Sequence, residues 1–293
     1  MGVNVGTRCN FQCAHCLVEG KDRNRDLTRA EIELLRGTIS RYQPKSVLFV
    51  GGETTLYVGV VNELISSHPD KKNLKVTVTT NGHFAKSIVL AKKVLSEFAV
   101  LDSVQVSYDV FHKVFLPIKN IGNLYAACKD LGIKFSVILT ISSPMDLTLV
   151  PELRKMGKFK IGVQKVGRIG DAKINNIGFS FPSFDKNVLL KKCPGRKGLG
   201  YLCGKGFSLC CAELVMNNPS GHFIHETLHR HRRSDFYRVM RSCTFGELVR
   251  RAGIPMKELL PEHSLECVLC DHIFSRVDMP KFLAEAVQMR RLP

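Results

Sequence analysis

Short apolar runs alternate with segments of helical periodicity between residue 28 and about residue 166. The runs are rich in β-branched residues, and polar residues or glycine follow each of them, which predicts buried parallel strands. With the first residues added, the pattern predicts six strands, over residues 2–5, 46–50, 75–79, 103–107, 135–141 and 161–166. Regular alternation of strands and helices predicts an α/β fold.

The segments between these strands carry apolar residues at helical spacing. The first helix has a defined start, because Thr28 and Glu31 form a capping-box sequence ahead of Ile32. Four more helices are predicted, over residues 57–66, 85–97, 118–131 and 147–156. In barrels of parallel strands the chemistry lies at the carboxyl ends of the strands, so we searched those ends for polar motifs.

Beyond residue 175 the alternation stops, and seven of the eleven cysteines lie between Cys193 and Cys270. This change in composition predicts two domains, a barrel over residues 1–175 and a second module over residues 176–293 that ends in a C-terminal helix. A length of 293 residues suits one large domain with an appendage.

The chain is strongly basic, with 43 Lys and Arg against 26 Asp and Glu and a formal charge of +17. Such a charge attracts acidic partners; nucleic acid is permitted but not favoured, because the basic residues 229–233 lack interleaved aromatics. No run of 18 apolar residues and no signal-like start occur, which predicts a cytoplasmic protein without a membrane partner. In that compartment many cysteines indicate metal or cluster binding.

Cys9, Cys13 and Cys16 have a C-x3-C-x2-C spacing. Three thiolates can hold three corners of a [4Fe–4S] cluster and leave one iron open; a zinc site or three unrelated buried thiols are the alternatives. The spacing resembles the radical S-adenosylmethionine (SAM) superfamily, in which the open iron binds the amino and carboxylate groups of SAM. The resemblance implies a partial (β/α)6 TIM barrel of the radical SAM type.

Polar motifs follow the predicted strands. Gly51-Gly52-Glu53 is similar to the family's GGE motif, whose backbone and carboxylate meet the SAM ammonium, and the segments after strands three and four resemble further SAM contacts. Each of these motifs alone is typical of a solvated turn. Because they occur together at consecutive strand ends, they favour a ligand site. The resemblance implies that these residues bind the cofactor: Gly51, Gly52, Glu53, Thr79, Asn81, Ser107, Asp109, Thr140, Arg168 and His15.

Two of these residues have equally ordinary explanations. His15 occupies a place where the family often has an aromatic residue near adenine, whereas a single histidine is more often structural. Arg168 has the geometry to pair bidentately with the SAM carboxylate, whereas a surface arginine would need no ligand. Ser107 and Asp109 are expected to hydrogen-bond the ribose hydroxyls.

The late cysteines resemble the auxiliary-cluster extension called twitch, a shortened SPASM domain. The resemblance implies a second, auxiliary [4Fe–4S] cluster, although two distant cysteines with a C-x2-C pair would also suit zinc. The implied ligands are Cys193, Cys210, Cys267 and Cys270. Cys203 is an alternative ligand, Cys243 has no assigned role, and Cys128 is expected in the core.

A narrower resemblance covers most of the chain, including residues 107–112, residues 166–173 and the Cys210-Cys211 pair. These segments look like the radical SAM peptide epimerases, which convert L-residues of ribosomally synthesised peptides (RiPPs) into D-residues. The resemblance implies that a 5′-deoxyadenosyl radical removes a Cα hydrogen and that Cys211 returns one from the opposite face. The thiyl would then be reduced through the adjacent cluster. The opposite assignment, with Cys211 as ligand and Cys210 as donor, stays open.

The partners implied are a ribosomal precursor peptide and an external electron donor such as flavodoxin or ferredoxin. Because the chain begins at the first barrel strand, we expect the barrel mouth, the second module or another protein to capture the peptide. Two other classes of function compete: a maturase that cross-links peptides through thioether or carbon–carbon bonds, and an RNA-modifying radical SAM enzyme.

Overall fold

The computed structural model describes residues 1–217 and 220–288 and has the predicted α/β fold. Six parallel strands follow one another in a single sheet, in chain order. They are β1 (Gly2–Asn4), β2 (Ser46–Val50), β3 (Lys75–Thr80), β4 (Ser103–Ser107), β5 (Lys134–Ile141) and β6 (Lys160–Lys165). Each lies within one residue of its predicted bounds. The prediction that all six are buried is wrong for β6, which has no buried residue because it lies at the edge of the sheet.

Helices connect the strands, as predicted. They are α1 (Arg29–Tyr42), α2 (Val58–Ser66), α3 (Ile88–Ser96), α4 (Ile118–Asp130), α5 (Leu149–Arg154) and, after β6, α6 (Asp171–Ile174). The capping box before α1 is confirmed: Thr28 accepts from the Glu31 amide, and the Glu31 carboxylate accepts from the Thr28 amide at 2.9 Å. Within the described residues, no helix has the length and apolar character needed to cross a bilayer.

A hairpin from the cysteine-rich half extends the barrel sheet, which the sequence did not predict. Its strands are β7 (Gly200–Leu202) and β8 (Gly206–Ser208), and β7 pairs in parallel with β1. The hairpin also binds α1, because the Gly204 amide and the Tyr201 hydroxyl donate to Glu31 Oε1 at 2.7 and 2.9 Å. The domain boundary at residue 175 stays a prediction, but the sheet runs past it.

The remaining chain forms a helical module with its own hydrophobic core. Its helices are α7 (Glu213–Asn217), α8 (Leu228–Arg233), α9 (Asp235–Ser242), α10 (Phe245–Arg251), α11 (Glu266–Phe274) and α12 (Met279–Gln288). The rings of Phe223, Phe236 and Phe274 pack edge to face in this core, with centroids 4.9 to 5.9 Å apart. Residues 218–219 and 289–293 of the predicted module lie outside the described residues.

A buried histidine pair fixes the chain just after β8. The Leu209 amide donates to Nε2 of His231 at 2.9 Å, and Nδ1 of His231 lies 3.0 Å from Nδ1 of His225. Because Nε2 accepts, the neutral ring of His231 carries its proton on Nδ1 and donates it to His225. Burial, with a smaller effect of His225, lowers the pKa of His231 to about 4.

We expect this pair to make the fold sensitive to mild acid. Below pH 6.5 the unfolded chain protonates His231 and the folded chain does not, so stability is lost as the pH falls from about 6.5 towards 4. Between pH 7.5 and 5.5 the loss from this residue is about 1.3 kcal/mol. His231→Gln keeps an acceptor for Leu209 without titrating, and should reduce the pH dependence of the free energy of unfolding.

Urea unfolding of the anaerobic holoprotein at pH 7.5 and 5.5 measures this difference. His229→Gln, which changes an exposed histidine on the same helix, should leave the pH dependence as it is in the wild type. An unaltered pH dependence in His231→Gln would show that the buried ring is not its source.

Candidate active site

The three early cysteines converge in the loop between β1 and α1, which we call the cluster loop (residues 7–25). The Phe11 amide donates to Sγ of Cys9 at 3.4 Å, and Nδ2 of Asn81 lies 3.7 Å from the same sulfur. Burial, with smaller effects of Cys16, Asp109 and Cys9, raises the pKa of Cys13 to about 12.

These thiols fit an iron–sulfur cluster. Three sulfurs close to one another, with N–H groups directed at one of them, form a soft donor set of the kind that holds iron. The burial and mutual repulsion that oppose ionisation here would be offset by the positive charge of bound iron. Cys9, Cys13 and Cys16 would therefore hold the cluster that their spacing predicts.

Asp171 at the start of α6 and Asn175 just after its end hold the cluster loop through hydrogen bonds. The sequence did not predict these contacts. The Asp171 amide donates to the Cys16 carbonyl at 2.9 Å, and the Asp171 carboxylate accepts from the Gly20 amide and pairs with Arg23. Nδ2 of Asn175 donates to the Ala14 carbonyl at 2.9 Å. Only the general likeness of residues 166–173 to a family segment pointed to this region.

Gly52 serves the packing of the cluster loop. Its amide donates to the Gly6 carbonyl at 2.9 Å, and a Cβ at this position would overlap the Arg8 carbonyl oxygen. A Cβ at Gly51 would lie 2.9 Å from the Gly6 carbonyl oxygen. The two glycines therefore let the chain leading to Cys9 approach β2, and their contact with SAM stays a prediction.

Glu53 is buried and joins the ends of β2 and β3. Its Oε1 accepts from the hydroxyls of Thr55 and Thr80 at 2.6 Å, and its Oε2 accepts from the Asn81 amide at 2.7 Å. Asn81 in turn donates from Nδ2 to Oδ1 of Asn10 in the cluster loop at 2.7 Å. The predicted cofactor residues Glu53 and Asn81 thus form one network that reaches the first cysteine.

Asp109 is fully buried between two histidines. Its Oδ1 accepts from the amides of Phe111 and His112 at 3.0 Å and lies 2.8 Å from Nδ1 of His112. Its Oδ2 lies 3.5 Å from Nε2 of His15. Burial would raise the pKa of Asp109, but hydrogen bonds and positive charge from His112 lower it overall. The carboxylate therefore orders its own turn and faces His15.

His15 itself is partly buried and stacks on Phe111, with ring centroids 4.3 Å apart. Burial lowers its pKa to about 4, so the ring is neutral at physiological pH. His15, Asp109 and His112 bring three potential ligand atoms within 4.8 Å of one another. A flat neutral ring therefore belongs to the cluster loop, at the residue before Cys16.

The other predicted cofactor residues lie at the same end of the sheet with fewer contacts. The Thr79 hydroxyl lies 3.4 Å from Oε1 of Gln105, and Arg168 is exposed and packs against Gly178. Ser107 ends β4, and Thr140 lies near the end of β5; both are partly buried. Their roles towards SAM stay predictions.

The four predicted ligands of the second cluster line one small cavity in the helical module: Cys193, Cys210, Cys267 and Cys270. Cys267 and Cys270 lie one turn apart on α11. Burial raises the pKa of each of these thiols, to about 12 for Cys210. Repulsion adds to it, from Cys211 for Cys193 and Cys210, and from Glu213 and then other thiols for Cys267. Four convergent sulfurs fit a second iron–sulfur cluster by the same reasoning as the first three.

Cys211 differs from its neighbour in exposure. As a whole residue, Cys211 is exposed, and it does not line the four-cysteine cavity, whereas Cys210 does. Burial of the thiol, with a smaller effect of Glu213, raises the pKa of Cys211, which therefore stays protonated at neutral pH. A protonated thiol, on a residue that is exposed as a whole, thus stands next to the four-cysteine cavity.

Glu213 is a buried acid that the sequence analysis missed. It is 3% exposed, and its side chain contacts Cys267 and Gly167. Within residues 1–217 and 220–288, neither carboxylate oxygen has a conventional hydrogen-bond partner. Burial raises the pKa of Glu213. Nothing in the sequence distinguishes a single acid that lies two residues after a cysteine pair. Only the fold brings Glu213 against Gly167, just after the end of β6.

The remaining cysteines lie apart from both groups. Cys203 is in the turn between β7 and β8 and packs with the barrel core, and Cys243 packs in the core of the module. Neither belongs to the lining of the four-cysteine cavity. Cys128 is fully buried in α4, which confirms the prediction that it is a core residue.

Parts of this chain are similar in sequence to known proteins. A protein of Methanocaldococcus jannaschii named "Probable GTP 3',8-cyclase" is 30% identical over 151 residues, 51% of this chain and 46% of its own length. The chain thus spans less than half of that relative. "Putative peptide biosynthesis protein YydG" of Bacillus subtilis (strain 168) is 27% identical over 236 residues, 73% of this chain and 70% of its own.

The fold agrees with a solved structure, that of native anSMEcpe with bound AdoMet and the Kp18Cys peptide. The two share 13% identity with a TM-score of 0.50, over 98% of this chain and 100% of that chain. The sequence profile of the radical SAM superfamily matches residues 3–142, which contain the cysteine triad and the motifs after the first four strands. Residues 3–142 of this chain are therefore similar to the radical SAM superfamily.

Proposed function

We propose that this protein is a radical SAM enzyme that converts an L-residue of a ribosomally synthesised peptide into the D-residue. The observation that carries the proposal is the position of Cys211, a protonated thiol beside a cavity that is lined by four other cysteines and not by Cys211 itself. Four thiolates complete the ligand set of an auxiliary [4Fe–4S] cluster, so Cys211 keeps its hydrogen. The name of the relative YydG, which refers to peptide biosynthesis, supports a peptide substrate.

In this proposal the two groups of cysteines have different tasks. Cys9, Cys13 and Cys16 would hold the first cluster, and the network of Glu53 and Asn81 would fix the cluster loop beside the SAM site. When bound, cluster and SAM supply a carbon radical that removes a hydrogen atom from a peptide Cα. Neutral His15 adds no charge that would oppose binding of the sulfonium group of SAM.

Inversion then depends on Cys211. The carbon that has lost its hydrogen is nearly planar, and the S–H bond of Cys211 breaks to deliver a hydrogen atom to the opposite face. Cys211 is left as a thiyl, which needs one electron from an external donor of the flavodoxin or ferredoxin class and one proton from solvent. The peptide gains and loses one hydrogen, so only its stereochemistry changes.

The test is turnover in deuterated water, with a short peptide encoded beside the gene of this chain. Because the Cys211 thiol exchanges with solvent, an epimerised product should carry one deuterium at Cα, and chiral amino-acid analysis should find a D-residue. A product that has lost two hydrogens would identify cross-linking instead. Cleavage of SAM with an unchanged peptide would contradict a peptide-modifying function for this substrate.

A further inference from the structure

A cavity of about 290 Å³ lies beside the cluster loop. One wall is formed by Leu17 and Val18, directly after Cys16, and another by Met216 of α7, the helix that follows Cys211. The turn between β7 and β8 closes the cavity with Leu202 and Lys205. The cavity is therefore bounded by the segment that follows Cys16, a proposed ligand of the first cluster, and by the helix that follows Cys211, the proposed hydrogen donor.

The cavity combines an apolar lining with two cations. Leu17, which is 52% exposed, offers an apolar surface to a ligand, and Nζ of Lys205 lies 3.4 Å from Sδ of Met216. Arg25 and Lys205 also line the cavity, are exposed, and form no ion pair with an acid within residues 1–217 and 220–288. Arg23 differs, because its guanidinium pairs with Asp171.

Arg25 is held in place before any ligand arrives. Its side chain lies against Gly204, where a Cβ would overlap the guanidinium, and it hydrogen-bonds to the Cys203 thiol. A cation fixed in this way loses little conformational entropy when it binds a carboxylate. Two acids, Glu19 and Asp22, line the same cavity, so its selectivity depends on the position of each charge.

We propose that this cavity binds a segment of the peptide substrate, with an apolar side chain against Leu17 and Met216 and an Asp or Glu carboxylate against Arg25 and Lys205. The proposal rests on the proposed function for its substrate class. The planar fork of Arg25 matches a carboxylate, and the formal charge of +17 attracts an acidic peptide to the protein.

Binding can be tested without turnover. Anaerobic holoprotein is incubated with a library of randomised nine-residue peptides, acetylated and amidated, and the retained peptides are sequenced by mass spectrometry. Asp or Glu close to Leu, Ile, Val or Phe should be enriched by the wild type, and this enrichment should disappear in Arg25→Ala/Lys205→Ala. The most enriched peptide, labelled with fluorescein, should bind the double variant about tenfold more weakly, because two exposed ion pairs are lost.

The matched control removes the same charge elsewhere. Lys71→Ala/Lys72→Ala changes two exposed lysines in the turn between α2 and β3 and should bind the labelled peptide like the wild type. Absence of acidic residues from the retained pool, or equal binding by the cavity variant, would contradict the proposal. An acidic peptide that binds but yields no D-residue would contradict the proposed function alone, and epimerisation without acidic preference would contradict the cavity alone.

Discussion

Cys211→Ala should cleave SAM at close to the wild-type rate and yet release at least about a hundredfold less D-residue product, a barrier increase of about 2.7 kcal/mol. The reason is that the methyl group of alanine has no hydrogen weak enough to be given to a carbon radical. Cys211→Ser should behave in the same way, because an O–H bond is much stronger than an S–H bond. The measurement is the ratio of D-residue formed to SAM consumed, taken from one anaerobic reaction.

Iron content separates this result from loss of a cluster. Cys211 is outside the lining of the four-cysteine cavity, so Cys211→Ala should keep about eight iron atoms per chain, the content of two [4Fe–4S] clusters. Cys210→Ala should lose part of that iron. Cys128→Ala, a change in the core of α4, is the control and should keep both iron and epimerisation. If Cys211→Ala loses iron while Cys210→Ala does not, the roles within the pair are exchanged.

Replacing Cys9, Cys13 and Cys16 together by alanine should abolish SAM cleavage completely and leave about half of the iron, roughly four atoms per chain. The loss follows because no thiolate remains to hold the first cluster. The other half should stay because Cys193, Cys210, Cys267 and Cys270 lie in a separate core. Iron analysis and electron paramagnetic resonance of the reduced variant measure both quantities.

The reciprocal variant completes this experiment. Cys267→Ala/Cys270→Ala removes two ligands from α11 and should keep the iron of the cluster loop together with SAM cleavage, while epimerisation stops. If the triple variant of the cluster loop contains no iron, the two-cluster interpretation is wrong. If it still contains all the iron, the early cysteines are not ligands.

Local features of the sequence predicted the parallel strands and the cysteine groups. A β-branched run such as that of β2 favours a strand through its own residues, and the spacing of Cys9, Cys13 and Cys16 is a property of eight consecutive residues. The capping box at Thr28 is equally local, since donor and acceptor are three residues apart. Such features need no knowledge of the distant chain.

Features that depend on distant contacts were not predicted. β7 is only three residues long and carries no alternating pattern, and its partner β1 lies about two hundred residues earlier. The same is true of the pairing between Asp171 and Arg23, and of the burial of Glu213 against Gly167. Asp109 was correctly located after β4, but its burial between two histidines depends on the cluster loop folding over it.

The pairing of β7 with β1 has a mechanical consequence. Cys16 lies in the loop after β1, and Cys211 lies shortly after β8. Because β1, β7 and β8 are hydrogen-bonded in one continuous sheet, the two cysteines follow strands of the same sheet. A hinge motion between the barrel and the module would have to break the hydrogen bonds between β1 and β7, and packed sheets resist such bending. In the proposed reaction, the distance between the position where one hydrogen atom is removed and the position where another is returned would thus be set by the stiffness of the sheet, and the peptide would have to fit a gap of fixed width.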